Sequence, residues 1–278
     1  MPALRLTEPP ASCDWPVPGT LDTTIPAPAR VYDYLLDGKD NFAADRAVGD
    51  QLKSDVPQAA RLARDNRHFM HRAVRLMVAN GITQFLDIGP GLPLSPTTDE
   101  IALQAEPGGS VVYVDNDPVV INHTRALRKN PRIGAVHLDV REPGLIFESP
   151  EVRSLIDLSR PVGLLLVAVL HFLPKDEDLD HIAAALRWRL PSGSHLAVSH
   201  MTSTGTAPEW QDAVLGSWPP DSPSRPVFRT ADEISRVFGN WRLVEPGLVD
   251  VADWKPGSKK RYRLSSTARC LGGVAIAR

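Results

Sequence analysis

The sequence predicts an α/β protein built on a doubly wound, mostly parallel sheet. Two observations carry that expectation. After Gly81, short apolar runs alternate with helical segments, the pattern of parallel strands joined by crossover helices. The first of those runs ends in FLDIGPG, Phe85 to Gly91, whose glycines permit a sharp turn and a close ligand approach at a strand tip.

Taken in order, residues 1–27 are rich in proline and lack apolar periodicity, which reads as a flexible arm. From Ala29 the spacing turns helical: Val31, Tyr34 and Leu35 share a face, and Gly38 is a stop signal. A second short helix follows Asn41, carrying Phe42, Val48 and Leu52. A third runs from about Gln58 to Asn80 with the stripes Ala63, Arg67, Met70, Val74, Met77 and Leu62, Asn66, Phe69, Ala73, Leu76. Both stripes are apolar except at Asn66 and Arg67. Arginine is rarely buried alone, so Arg67 either snorkels at the core edge or meets a carboxylate of the protein or of a ligand. Residues 28–80 thus form a helical block ahead of an α/β domain over 81–278.

In that domain TQFLDIG, SVVYVD, AVHLD, VGLLLVAVL and HLAVSH are strands one to five. Helices fall near 97–106, 118–129, 144–157, 178–190 and 230–238, and Thr97 with Glu100 and Thr230 with Glu233 form capping boxes. RLVEPGLVDV and LGGVAIAR supply two final strands, expected as an antiparallel edge pair that completes a seven-stranded sheet.

Composition narrows the function classes. A net charge of -2 removes the simplest argument for nucleic-acid binding. The stretch from Lys255 to the end holds seven basic residues and no acidic one, and KPGSKKRYR reads as a solvated loop between edge strands. Cys13 and Cys270 are too few and too far apart for a disulfide framework or a zinc site, which points to reduced thiols in the cytoplasm. VGLLLVAVL is about half of the ~20 residues a membrane span needs, and no basic-then-apolar leader precedes it, so no membrane association is expected.

A GxG after a strand is shared by several nucleoside sites. Here Leu94 stands where a third glycine would be, and LPLSP separates the turn from the next capped helix. A dinucleotide site presses a helix N-terminus against its pyrophosphate. The displaced helix therefore favours S-adenosylmethionine, which has no phosphate, over NAD. Asp115 ends strand two and is either a turn carboxylate or the acceptor for two ribose hydroxyls, the latter fitting its place beside FLDIGPG. Asp117 and Pro118 start the following helix. Asp139 ends strand three, where it either caps the turn before Pro143 or accepts from an adenine amino group while the Val140 amide donates to a ring nitrogen.

Metal and nucleophile chemistry find no support. His68 and His71 lack the glutamate of HExxH, the odd spacing of His195 and His200 sends them to opposite strand faces, and no GxSxG is present. His171 follows strand four at the crevice mouth, as a turn histidine or as a group that binds the acceptor or takes its proton.

PARVYDYLLDGKDNFAADR, RLARDNRHF, GITQFLDIGPGLP, VVYVDNDPVV and PVGLLLVAVLHFLP together resemble the S-adenosyl methyltransferase family, first catalogued as a domain of unknown function. The likeness runs from about Pro28 to the C-terminus, and GKDNFAADR is its most distinctive part. It implies a Rossmann-like class I methyltransferase domain over 81–278 with an N-terminal helical cover over 28–80. It also implies that Asp87, Gly89 and Gly91 surround the methionine portion of the donor, that Asp115 holds the ribose with Asn116 beside the adenine, and that Asp139 and Val140 read the adenine edge. Arg67 or Asn66, at the polar break of the third helix, is then placed to face the donor's carboxylate. Tyr34, Asn41, His171 and His200 are expected along a small-molecule acceptor's side. Two other readings stand beside this one: a donor-binding regulator without turnover, and an NAD-linked oxidoreductase, which the displaced helix start argues against.

Overall fold

The computed structural model describes residues 21–175, 177–255 and 268–278. Three helices come first: α1 (Pro28–Leu35), α2 (Ala43–Asp55) and α3 (Ala59–Ala79). Proline at the first position of α1 removes an N–H that would have had no intrahelical partner. At the end of α3, Gly81 takes φ +84°, and the N–H groups of Gly81 and Ile82 close on the carbonyls of Val78 and Met77.

The α/β domain then alternates β1 (Gln84–Ile88), α4 (Thr98–Ala105), β2 (Ser110–Asp115), α5 (Pro118–Leu127), β3 (Ile133–His137), α6 (Pro143–Glu148), α7 (Pro150–Leu155), β4 (Gly163–Val167), α8 (Leu179–Trp188), β5 (His195–Thr202), α9 (Pro208–Gly216) and α10 (Ala231–Arg236). Strands β6 (Arg242–Leu243), β7 (Val249–Asp250) and β8 (Arg269–Ile276) close the chain. The sheet order is β3-β2-β1-β4-β5-β8-β6, with β7 also paired to β8. Strands β1 to β5 are parallel, and β8 runs antiparallel to β5, β6 and β7. The chain winds outward through β2 and β3 and returns to β4 beside β1, which makes the crevice at the β1 and β4 tips the switch point of the sheet.

The sheet has eight strands where seven were expected. RLVEPGLVDV is not one strand, because Pro246 has no N–H for a ladder and Gly247, at φ +86°, turns back to donate to the Val244 carbonyl. Two short strands result, both on β8. The segment expected over 144–157 is likewise two helices, because Ser149 ends α6 in an extended conformation and caps α7, with Pro150 at its first position. Helix α9 was not expected. It carries proline at its start and Glu209 in its first turn, yet buries only Val214, so it lacks the stripe that reveals a helix.

Alternation along the strands sets the two faces. Leu86, Val112, Leu164 and Val198 face α6, α7 and α8 through residues such as Ile146, Val152 and Ile182. Phe85, Val111, Leu165 and Ala197 face the other way, onto Phe69, Met70, Val74 and Met77 of α3. Burial on both faces explains why the strands read as continuous apolar runs. A third cluster joins α1, α2 and α3 to Val214, Trp218 and Phe228, which brings the start of the chain onto the segment after β5. Among the described residues, no helix is long and apolar enough to cross a membrane. Cys13, most of the arm 1–27 and the basic run after Lys255 lie outside the described residues.

Candidate functional site

Asp87 stands on the α3 and α4 side of β1, buried, with its Oδ2 accepting from the Thr98 hydroxyl at 2.6 Å. Burial pushes its pKa up to about 6. The chain then turns through Gly89 and Gly91, at φ +70° and +67°. A Cβ on Gly89 would lie 2.5 Å from Cγ2 of Val169, so position 89 has neither the conformation nor the room for a side chain.

At the β2 tip, Asp115 accepts from the Gly91 N–H at 3.3 Å through Oδ2 and from the Asp117 N–H at 2.9 Å through Oδ1. Burial pushes its pKa up to about 7, against the two hydrogen bonds that favour the ionised form. Asn116 donates to Asp139 Oδ2 at 2.7 Å. Arg141 forks onto Asp139, Nε to Oδ1 and Nη2 to Oδ2, both at 2.9 Å. Burial alone would raise the Asp139 pKa, but these donors outweigh it and hold the carboxyl below its ordinary range. Val140 is buried beside it.

All these groups wall one cavity of about 600 Å³, within the size range of small-molecule sites. Asn66, Arg67 and His171 line it too. The two polar residues of α3 differ in what they have free. Asn66 is committed within the protein, accepting from Ser199 Oγ at 2.6 Å and donating to the Tyr32 hydroxyl at 3.1 Å. Arg67 donates from Nη2 to the carbonyls of Leu94 and Pro96, holding the loop after the glycine turn. Its Nε is buried with no hydrogen-bond partner among the described residues.

Tyr34, Asn41 and His200, expected along the acceptor side, do not line the cavity. The Tyr34 ring lies over Gly49 of α2, where a Cβ would be 2.3 Å from it, and its hydroxyl donates to Asp50 at 2.6 Å. Asn41 pins the turn between α1 and α2 by donating to Asp33 Oδ2 at 2.8 Å and to the Gly38 carbonyl at 3.1 Å. His200 is fully buried, and strand alternation gives its neighbour Met201 to the cavity instead.

His171 sits on a 3₁₀ turn, Leu170–Phe172, directly after β4. Its Nδ1 is buried with no partner among the described residues. Burial, then the neighbouring His200 and the charge of Arg229, hold its pKa well below the usual imidazole value, so the ring is neutral. Tyr32, Phe172, Met201, Trp218, Phe228 and Cys270 also line the wall, and the sequence alone placed none of them at the site. The Cys270 thiol is buried and its pKa is pushed up to about 12, so it is protonated and unreactive.

A family model described as S-adenosyl methyltransferase matches residues 16–278. The chain belongs to the S-adenosyl methyltransferase family. Two crystal structures share its whole fold. One, from Thermobifida fusca YX and named as a candidate methyltransferase, is 39% identical, with a TM-score of 0.86 over 95% of this chain and 99% of that one. The other, a DUF574 family protein from Streptomyces avermitilis MA-4680, is 37% identical, with a TM-score of 0.85 over 92% of this chain and 99% of that one. No curated protein matches the chain. The fold is that of class I S-adenosylmethionine-dependent methyltransferases, and S-adenosylmethionine is the donor of this family.

The residues of this family member fit that donor. Its glycine turn leaves the main chain open where a side chain would clash, and a carboxylate stands at each of the second and third strand tips. The buried Arg67 Nε is a charged donor without an acceptor among the described residues.

Proposed function

We propose that this family member transfers a methyl group from S-adenosylmethionine to a small-molecule acceptor, both held in the one cavity. The observation that carries the reading is the cavity's continuity: carboxylate-bearing strand tips and a largely apolar wall from α1, α2, α3 and Trp218 enclose the same space. A site for the donor alone would not need the second wall.

In this reading Asp115 accepts from the ribose hydroxyls. Asn116, Asp139 and Val140 hold the adenine, with Arg141 fixing the Asp139 carboxylate. Asp87, Gly89 and Gly91 surround the methionine portion, and Arg67 offers its free Nε to the donor's carboxylate. The helices over 28–80 cover the domain formed by 81–278. When bound, the donor supplies a methyl group already activated as a sulfonium, so the protein's part is alignment and exclusion of water.

The test is calorimetry with S-adenosylmethionine, followed by assay of S-adenosylhomocysteine in the presence of metabolite pools. Saturable binding together with acceptor-dependent product supports the reading. Binding that never yields S-adenosylhomocysteine from any pool would favour a donor-sensing regulator. Absence of binding would end both readings.

A further inference from the structure

The acceptor side of the cavity is chemically narrower than its volume suggests. Leu35, Leu52, Val56, Phe172, Trp218 and Phe228 make its wall apolar. Polar groups among them are already committed: the Tyr32 hydroxyl donates to the Ala63 carbonyl at 2.8 Å, and Arg269 forks onto Asp250, with Nη2 at 2.7 Å. Arg30 stands between Asp45 and Asp117 at 3.4 and 3.7 Å. Arg30 Nε and Nη1 and Asp117 Oδ2 make no hydrogen bond among the described residues but lie within ion pairs, whereas His171, a buried imidazole on the cavity wall, has a ring nitrogen with no partner of either kind. A buried polar atom without a partner is costly, and the ring that carries this one lines the cavity.

Behind His171 lies a buried positive charge. Arg229 is 4% exposed and donates to the carbonyls of Leu170 (3.1 Å), Leu173 (3.0 Å) and Pro174 (3.0 Å), so it clamps the turn that carries His171. It also donates to His200 Nε2 at 3.1 Å. This fixes the His200 proton on Nδ1, which donates to the Met201 carbonyl at 2.6 Å, and keeps that ring uncharged. The His200 and His171 rings meet edge to face at 5.5 Å. Among the described residues, no carboxylate lies within 4.0 Å of the Arg229 guanidinium. A positive charge with no carboxylate in salt-bridge contact, Glu233 and Asp180 acting on it from farther off, thus backs a neutral imidazole at the cavity wall. Such an imidazole is a poor proton acceptor and a good N–H donor toward negative charge.

We propose that this side of the cavity takes a flat, apolar acceptor whose reacting atom is an acidic hydroxyl or ring N–H, methylated as its anion, with His171 donating a hydrogen bond to that anion. The proposal rests on the methyl-transfer reading and names the acceptor class of the same site. The acceptor's proton passes to water beforehand. Its lone pair then forms the bond to the methyl carbon as the carbon–sulfur bond breaks, and that bond's electron pair returns to sulfur. Arg229 acts as a positioning residue for His171 and as a source of positive potential. An ammonium acceptor is disfavoured by the same charge.

The experiment uses the full chain saturated with S-adenosylhomocysteine and two probes of matched shape, para-nitrophenol and para-nitrobenzylammonium. The phenol is expected to bind at least about tenfold more tightly than the ammonium. Buffered about one pH unit below its own pKa, it should show increased phenolate absorbance on binding, a shift of roughly one pKa unit. His171→Phe should abolish that absorbance gain. Arg229→Gln should bring the two affinities to within about threefold, whereas a merely structural loss would weaken both probes alike. Tighter or equal binding of the ammonium, or phenol bound in its protonated form, overturns the proposal. Both of those measurements need only the unaltered chain, so they decide even where a variant does not fold. Failure of S-adenosylhomocysteine to bind sinks the methyl-transfer reading and this proposal together. Binding of S-adenosylhomocysteine without preference for the phenol sinks the acceptor class alone.

Discussion

The two walls of the cavity are built on opposite plans. The strand-tip wall is made of short local motifs, each a turn following a strand, and its charged groups hold one another: Asp115 with the Gly91 amide, Asp139 with Asn116 and Arg141. The facing wall is assembled from α1, α2, α3, the 3₁₀ turn and the segment from α9 to Phe228, and its order rests on apolar packing and on two buried guanidinium groups, Arg30 between α1 and α2 and Arg229 under the 3₁₀ turn. The difference teaches where each kind of damage should appear. Substitutions in the first wall should show in nucleoside affinity, and those in the second in stability and acceptor choice.

The largest effect is expected from the second wall. Arg229→Met strips the Leu170, Leu173 and Pro174 carbonyls of their donor, and should lower stability by about 3–5 kcal/mol, or roughly 10 °C in thermal unfolding. A loss under about 0.5 kcal/mol would mean the turn is held by packing alone. Next, Asp115→Ala should weaken binding of methylthioadenosine, which carries the ribose and no amino-acid end, by about thirtyfold in calorimetry. An unchanged affinity would remove the ribose role and blur the contrast between the walls.

Acidity should separate the walls further. The Asp115 carboxyl, with its pKa pushed up to about 7 by burial, must be ionised to accept from two hydroxyls. Methylthioadenosine affinity should therefore fall about tenfold between about pH 8 and about pH 6, with proton release on binding at the lower pH. For folding the same group has the opposite sign: its raised pKa favours the native state below the unfolded value and loses that contribution as pH rises through about 7. A flat affinity profile in this window would show that another group accepts from the ribose. The smallest effect sharpens the role of Arg67. Arg67→Met should weaken S-adenosylhomocysteine several-fold and leave methylthioadenosine unchanged, since only the former has a carboxylate. Equal losses for both would make Arg67 a loop support, through Leu94 and Pro96, and nothing more.

The same contrast explains what could be read from the chain. The strand-tip residues follow one another within consecutive elements, so Gly89, Gly91, Asp115 and Asp139 were recognisable from their places after apolar runs. That β1 to β5 run parallel follows from the crossover helices between them. The facing wall offered no such handle. Trp218 and Phe228 sit in a segment without periodicity, and only the folded chain brings them to Val31, Leu52 and Val56. His200 and Met201 are neighbours on β5, and alternation says they face opposite ways without saying which faces the ligand. Tyr34 fitted a helical face, but a glycine at position 49 of α2 made room for its ring elsewhere. The polar break at Asn66 and Arg67 was visible as a break. Its division into one committed amide and one free guanidinium nitrogen depends on Ser199 and Tyr32, more than 130 and more than 30 residues away in the chain.

The contact between Gly89 and Val169 ties the two walls at their root. Val169 lies two residues before His171, and its Cβ sits 2.6 Å from where a side chain on residue 89 would begin. Any enlargement at 89 would push the β4 tip outward and carry the imidazole with it. The two positions are therefore one steric unit: residue 89, with a left-handed backbone and nothing to give up, stays glycine, so a shift of acceptor preference at this root has to come through the size of residue 169.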